Sequence, residues 1–302
     1  MCIFAICNLK ANPIVKCNMA NPICISPLKF YDDFQKQNRY RSFAYGHIAP
    51  LITNLNVVSP FQLIVSGNVS EVYVRSASTN NRVTSNVVER FKDAGLRNVS
   101  KNGYNVLLFL GIFPLSGVID YEGQYWLEIH SGGWYYSEVF CFDNNINDCL
   151  KIEYWNPEGD FALKNGIVVL GSENFHYILL LKSELGKPEY SFEEEATKRL
   201  GYSFIESQVS KKTYKFNTVI PEYLCDAMRI IRLCSQKKIT CKGETYDAIT
   251  FNMEVDWQEQ GDLASVTCEF DVDNIITNLG GFKHEALGGD FNNDYNNDYN
   301  IE

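Results

Sequence analysis

The stretch "EIHSGGWYYSEVFCF", Glu128–Phe142, decides how the first half of the chain is read. Aromatic residues crowd around Gly132 and Gly133, and a carboxylate, Glu138, sits among them. Clustered aromatics can make a sugar-binding platform. They can equally make the inside of a β-sandwich. Strand alternation separates the two readings. Glycine tolerates positive φ, so Gly132-Gly133 suits a two-residue hairpin turn. That turn sets His130 opposite Tyr135, Ile129 opposite Tyr136, Leu127 opposite Glu138 and Tyr125 opposite Phe140. One face then carries Tyr125, Leu127, Ile129, Tyr136, Glu138 and Phe140. The other carries Trp126, Glu128, His130, Tyr135, Ser137 and Val139. The first face is the natural core side. Packing consumes most of the aromatics, and Glu138 needs a partner or an edge position. Trp126 and Tyr135 are left as exposed interaction candidates.

Working outward, "FQLIVSG", "EVYVRSA" and "YNVLLFLG" read as strands, rich in β-branched and aromatic residues. "TSNVVERFKDAGL" is ambiguous: Thr84 or Ser85 suits a helix cap, and Gly95 a helix end. The cluster "DNNIND", Asp143–Asp148, marks a soft boundary near residue 150. "LKIEYW", "GIVVLG" and "FHYILLLKS" follow as strand-like runs. In "PEYLCDAMRIIRLC", Pro221 suits a first helical turn, and Leu224, Met228 and Ile231 recur at helical spacing. "KKITCKGETYDAITFNMEVDW" is a hairpin turning at Lys242-Gly243. In "LASVTCEFDV", Ala264, Val266, Cys268 and Phe270 form the apolar face of a strand.

The expected fold class is therefore mainly β with a minor α part. Residues 1–26 read as an extended arm broken by Pro13 and Pro22. Residues 27–150 read as a β-sandwich-like domain. Residues 151–280 read as a small β-barrel or sandwich with a helix near 221–234. Residues 281–302, with "NNDY" twice in succession, are a low-complexity tail.

Composition narrows the function classes. The 302 residues are 45% hydrophobic and 21% charged, enough apolar material for a core. The net charge of −10 argues against a duplex-binding protein. The longest apolar run, Val106–Val118, is too short to span a bilayer, so no membrane partner is expected. None of the ten cysteines forms a C-x-x-C pair, and several sit in apolar runs as small hydrophobes. Reduced thiols and assembly in a cytoplasm are the expectation.

Catalytic patterns have no anchor. The four histidines make no H-x-x-x-H or H-E-x-x-H pair, and there is no G-x-S-x-G, P-loop or G-x-G-x-x-G. Glu193, Glu194 and Glu195 in "SFEEEATKR" are adjacent, whereas a glycosidase needs carboxylates facing across a cleft. They read as a solvated charged turn or helix start. The Asp/Asn-rich "DNNINDCLKIE" and the tail lack the glycine and distal glutamate of a calcium loop. No cofactor, no metal and no enzymatic activity is expected.

Three stretches together carry a resemblance: "PLKFYDDFQKQNRYRSFAYGHIAPLI", "WYYSEVF", and "GKPEYSFEEEATKRLGYSF" with the following "KKTYKFNTVIPEYLCDAMRIIRL" and "GETYDAITFNMEVDWQEQGDLASVTCEFDVDNII". They resemble a virion protein of tailed bacteriophages and prophages of gut Bacteroidetes, including the crAss-like phages. The likeness spans about residues 25–280. It implies a ring, hub or fibre-adaptor subunit of the tail or neck, with a fold similar to tail-tube and distal-tail proteins and no catalytic residues. Its implied partners are copies of itself in a ring and other tail, neck or portal-proximal proteins, with nucleic acid only passing through a ring lumen. The implied location is the virion. The aromatics of the low-complexity end, Phe291, Tyr295 and Tyr299, join Trp126 and Tyr135 as interaction candidates. The alternative is a carbohydrate-binding or adhesin module, with Trp126, Tyr135 or Trp134 exposed.

Overall fold

The computed structural model describes residues 26–32, 51–53, 57–101, 103–109, 113–114, 123–142, 149–157, 161–162, 168–169, 175–199, 202–257 and 263–278. The tail, and all of the arm but Ser26, lie outside them. In chain order the strands begin with β1 Phe30–Asp32, β2 Leu51–Thr53, β3 Val57–Val58, β4 Phe61–Ile64 and β5 Glu71–Ser76. Helix α1, Val88–Asp93, leads to β6 Leu96–Lys101, β7 Tyr104–Phe109, β8 Phe113–Pro114, β9 Gly123–His130, β10 Trp134–Ser137 and β11 Phe140–Phe142. Then come β12 Leu150–Trp155, β13 Phe161–Ala162, β14 Val168–Val169, β15 Tyr177–Leu181, β16 Glu189–Arg199 and β17 Tyr202–Pro221. Helix α2, Glu222–Ile231, precedes β18 Gln236–Cys241, β19 Glu244–Asp247, β20 Asn252–Trp257 and β21 Leu263–Asn278.

The fold is mainly β. The largest sheet has ten strands in the order β1-β10-β9-β11-β2-β15-β12-β18-β19, with β5 also on β9. It takes strands from both sides of residue 150, where composition suggests a soft boundary. Pairing acts through space, and here β2 meets β15 at Ile52 and Leu180. A three-stranded sheet, β4-β7-β6, shares its core in a sandwich-like arrangement. The Phe30 ring lies 4.8 Å from Phe61, and Phe61 lies 5.3 Å from Phe109. Val72, Val74, Leu127 and Ile129 supply the facing side, all fully buried. Each such side chain contributes about 1.5–3 kcal/mol by leaving water.

The segment before α1 is tied to β5 by side chains that imitate a strand. The Val72 and Val74 N–H groups donate to Asn86 Oδ1 and Thr84 Oγ1, each at 3.0 Å. Asn86 also accepts the Val88 N–H at 3.1 Å, at the helix start. So Asn86, rather than Thr84 or Ser85, takes one N–H at the helix start, that of Val88.

The hairpin differs from its expected register. His130 pairs with Trp134, Ile129 with Tyr135 and Glu128 with Tyr136. The loop therefore has three residues, Ser131, Gly132 and Gly133. Gly132 has φ 73°. A Cβ there would stand 2.7 Å from both the Gly67 nitrogen and Ser66 Oγ. The close passage of the Ser66–Gly67 backbone thus demands a left-handed glycine at this point. Further along, Phe140 pairs with Tyr125, as the two-residue turn predicts. The mismatch of one residue is taken up where Glu138 and Val139 together oppose Trp126, a β-bulge. Before the bulge every side chain changes face. Tyr136 joins Trp126 and Glu128, and Tyr135 joins Ile129 on the core side.

In the second half the apolar patterns agree with the sequence. Leu224, Met228 and Ile231 of α2 are buried, as are Ala264, Val266, Cys268 and Phe270 of β21. The β18–β19 turn has Lys242 at φ 51° and Gly243 at φ 84°, the signature of a type I′ turn. Lys237 is buried and donates to the Cys234 carbonyl at 2.5 Å, capping the chain that leaves α2. Among the described residues, Cys225, Cys234, Cys241 and Cys268 are free thiols. Burial pushes the Cys225 thiol up to about 11 and Cys234 up to about 12.

Glu193–Glu195 depart from expectation: they lie within strand β16, not in a turn or helix start. Strands β16, β17, β21 and β20 form a separate four-stranded sheet. β17 has 20 residues, roughly 65 Å at strand rise. Its root packs on α2 and the core through Tyr214, Phe216 and Ile220. Its tip, from Thr213 back to Tyr202, pairs only with β16 and the end of β21 among the described residues.

Candidate functional site

The outer face of the β5-β9-β10-β1 portion follows directly from strand register. Glu71, Tyr73 and Arg75 of β5 stand opposite His130, Glu128 and Trp126 of β9. Trp134 and Tyr136 of β10 continue the same face, and Tyr31 of β1 pairs with Tyr136. The inner face fills the core, so this one gathers the polar and large aromatic residues of four strands.

At its centre is Glu128, only 4% exposed. Arg75 grips it as a fork, with Nε 2.9 Å from Oε2 and Nη2 3.4 Å from Oε1. Arg82 adds a third bond, Nε to Oε2 at 2.7 Å. Burial pushes the Glu128 carboxyl up, but the bonds from Arg82 and Arg75 outweigh it and hold the group below the usual glutamate range. Glu71 stands on the same face, accepts the Tyr73 hydroxyl at 2.8 Å and also acts on Arg82, so the two guanidinium groups are balanced by two carboxylates. Both cations are also stacked. The Arg82 guanidinium lies 3.7 Å from the Tyr73 ring centre and 5.3 Å from Trp134. Arg75 lies 5.3 Å from the Trp126 ring.

The second carboxylate on this face is Glu138, 3% exposed. The Tyr31 hydroxyl donates to its Oε1, and its backbone N–H donates to the Lys29 carbonyl at 2.7 Å. The misfit in the sequence is thus solved by the bulge, which turns Glu138 to the Tyr31 side of the sheet.

Of the sequence-predicted interaction residues, Trp126 is not exposed. Its ring is 5.6 Å from Tyr136, and the two pack with Val139 in a small apolar cluster. The three-residue loop is the cause, because it brings Tyr136 onto the Trp126 face. Tyr135 is half-buried on the core side, and its hydroxyl accepts the Ser66 N–H at 3.1 Å. Trp134 remains half-exposed, with its ring 4.7 Å from His130 and 6.4 Å from Tyr73. Phe291, Tyr295 and Tyr299 lie outside the described residues. The sequence reading missed Glu128, Arg75 and Arg82 as a unit. A period of two in "EVYVR" puts Tyr73 and Arg75 on one face, but only the β5–β9 pairing brings that face to Glu128.

Glu128 is poorly placed for proton transfer. A general acid must gain and lose a proton near its working pH. Glu128 is held ionised by two cations. What remains partly accessible is Tyr73, Trp134, whose ring is tilted 35° from that of Tyr73, and the Arg82 guanidinium over Tyr73. Among the described residues no group of three His, Cys, Asp or Glu is placed to hold a metal ion. A separate cleft of about 460 Å³ lies between β15 and the root of β17, lined mainly by Leu180, Leu181, Ile220 and Leu224. Among the described residues no helix is long and apolar enough to cross a membrane. No protein-family model matches the chain, and no curated protein matches it.

Proposed function

We propose that the protein is a structural subunit of a bacteriophage tail or neck, assembling into a ring and connecting neighbouring tail components. The reading rests on the sequence resemblance to Bacteroidetes phage virion proteins. The observation that supports it best is the long β16-β17-β21 ribbon. Its root is anchored in the core, and its tip presents large apolar side chains to solvent, including Phe192 and Ile276. By register the two project from opposite faces of the ribbon, and a subunit with neighbours on both sides would cover each of them. The test is copy number in a purified particle, together with limited proteolysis of both chain ends. A ring subunit is present in a fixed symmetric number, and its ends are protected only within the particle. A chain that stays monomeric beside co-expressed virion proteins, with both ends cleaved, overturns the reading.

A second reading, a glycan-binding or adhesin module, draws on the half-exposed Trp134 beside Tyr73 and Arg82. It expects Trp134→Ala to abolish binding on a glycan array while assembly is unaffected. Absence of glycan binding by the native chain removes it.

A further inference from the structure

Strand β16 pairs with β17 along its whole length, and its other edge is open among the described residues. An open edge displays unpaired N–H and C=O groups that another strand can adopt. Two of the usual protections, a proline and a bulge in the edge strand itself, are missing. β16 contains no proline, and the one irregularity of its ladder puts the extra residue, Glu206, on β17. The edge strand itself runs regular. Its charges are ordered: Glu193-Glu194-Glu195, then Ala196-Thr197, then Lys198-Arg199. The sequence is acidic on one side of Ala196 and basic on the other.

We propose that β16 pairs antiparallel with β16 of a second copy, on a two-fold axis at Ala196. In that register Glu193 meets Arg199 and Glu194 meets Lys198, and the two-fold axis repeats both pairs. Opposite charges directly across a ladder stabilise it, and like charges oppose it. An isologous contact needs such self-complementarity. Glu193 already reaches Lys211 of β17 at 2.6 Å, so the second copy extends an existing pair into a network. The apolar side agrees. Ile205 pairs with Ala196 within the chain, so Ile205 and Ala196 of each copy line up across the axis. Phe192 and Tyr190, 75% and 63% exposed, occupy the same face of β16 but lie beyond the paired segment Glu193–Arg199.

The other edge of the tip is a poorer partner. Residues Asp271–Asn278 carry Asp271 and Asp273 and no basic residue. They can answer Lys198 and Arg199 but leave the three glutamates without a cation. A second β16 answers both ends. This pairing does not rest on the ring reading, because a ring closes head to tail through two different surfaces.

The experiment is sedimentation velocity on the full chain, from about 1 to about 100 µM, at low and high salt. The native chain is expected to dimerise, with Kd rising at least about tenfold at high salt. E193K/E194K and K198E/R199E, each alone, are expected to weaken the dimer at least about tenfold, and an equimolar mixture to restore it as a heterodimer. Glu193, Glu194 and Lys198 are exposed, so the circular dichroism spectrum of each substituted chain should match that of the native chain. A native chain monomeric throughout, a dimer indifferent to both double substitutions, or a mixture no tighter than its components overturns the proposal. Higher rings formed equally by native and substituted chains support the ring reading and overturn this pairing. A swap-sensitive dimer with no ring in any preparation does the reverse.

Discussion

The β9–β10 hairpin and the tip of the β16-β17-β21 ribbon use the same geometry for opposite ends. Both are antiparallel, both alternate, and both carry glutamates on an outer face. In the hairpin the inner face is fully committed to the core, through Leu127 and Ile129. Its outer face can then enclose a carboxylate, because Arg75 and Arg82 are delivered by β5 and the turn after it. In the ribbon tip neither face has a core beneath it. Its glutamates remain in water and make single bonds, Glu194 to Gln208 and Glu195 to Ser207. An exposed ion pair such as Glu193 with Lys211 contributes about 0–1 kcal/mol, while removing a partner from a buried pair costs several. Burial beneath a strand, rather than its own residues, decides what a glutamate is worth.

The largest effect should come at the ribbon's root. Phe270→Ala empties a fully buried site and should lower unfolding stability by about 3–5 kcal/mol, read from urea midpoints. Ile276→Ala, six positions along the same strand but 65% exposed, should stay within about 0.5 kcal/mol. Equal costs would mean that the tip is packed in the isolated chain, and the contrast would collapse.

Next is Gly132→Ala. The added methyl meets the Gly67 backbone at 2.7 Å in a left-handed conformation, so roughly 2–4 kcal/mol should be lost. Gly133→Ala, whose Cβ meets only Ser66 Oγ at 3.8 Å, should cost far less. A reversed order would argue for the two-residue turn.

Glu128→Gln should cost about 2–3 kcal/mol at neutral pH, since it leaves two guanidinium groups facing a neutral amide. The pH dependence has a definite sign. The folded Glu128 has the lower pKa, so its stabilisation is full above the ordinary glutamate range and is lost as pH falls through the folded value. The native chain should therefore lose more stability than Glu128→Gln on acidification. Parallel acid profiles would show that the carboxylate is not held ionised.

The smallest effect is expected of Glu194→Gln in the tip, within about 0.5 kcal/mol in the monomer by thermal melting.

Much of the fold was legible where the signal is local. The alternation of Ala264, Val266, Cys268 and Phe270 and the spacing of Leu224, Met228 and Ile231 identify buried faces without any partner being known. Lys242-Gly243 identifies its turn because a type I′ geometry requires positive φ at adjacent residues. "SFEEEATKR" was illegible as a strand. Adjacent glutamates have low β-propensity, and only pairing with β17 holds them extended. The candidate site was legible in its residue types and not in its membership. Trp126 was selected for exposure and is enclosed, because the Ser66–Gly67 backbone lengthens the turn beside it.

The sequence by itself determined a mainly β chain, its amphipathic helix, and which face of several strands turns inward. Those follow from side-chain period, a property of each segment alone. Only the tertiary structure decided the register of the Gly132 hairpin, the enclosure of Glu128 by cations 46 and 53 residues away, and the opening of the β16 edge. Each of these depends on which segments meet in space, and a shift of one residue exchanges the faces.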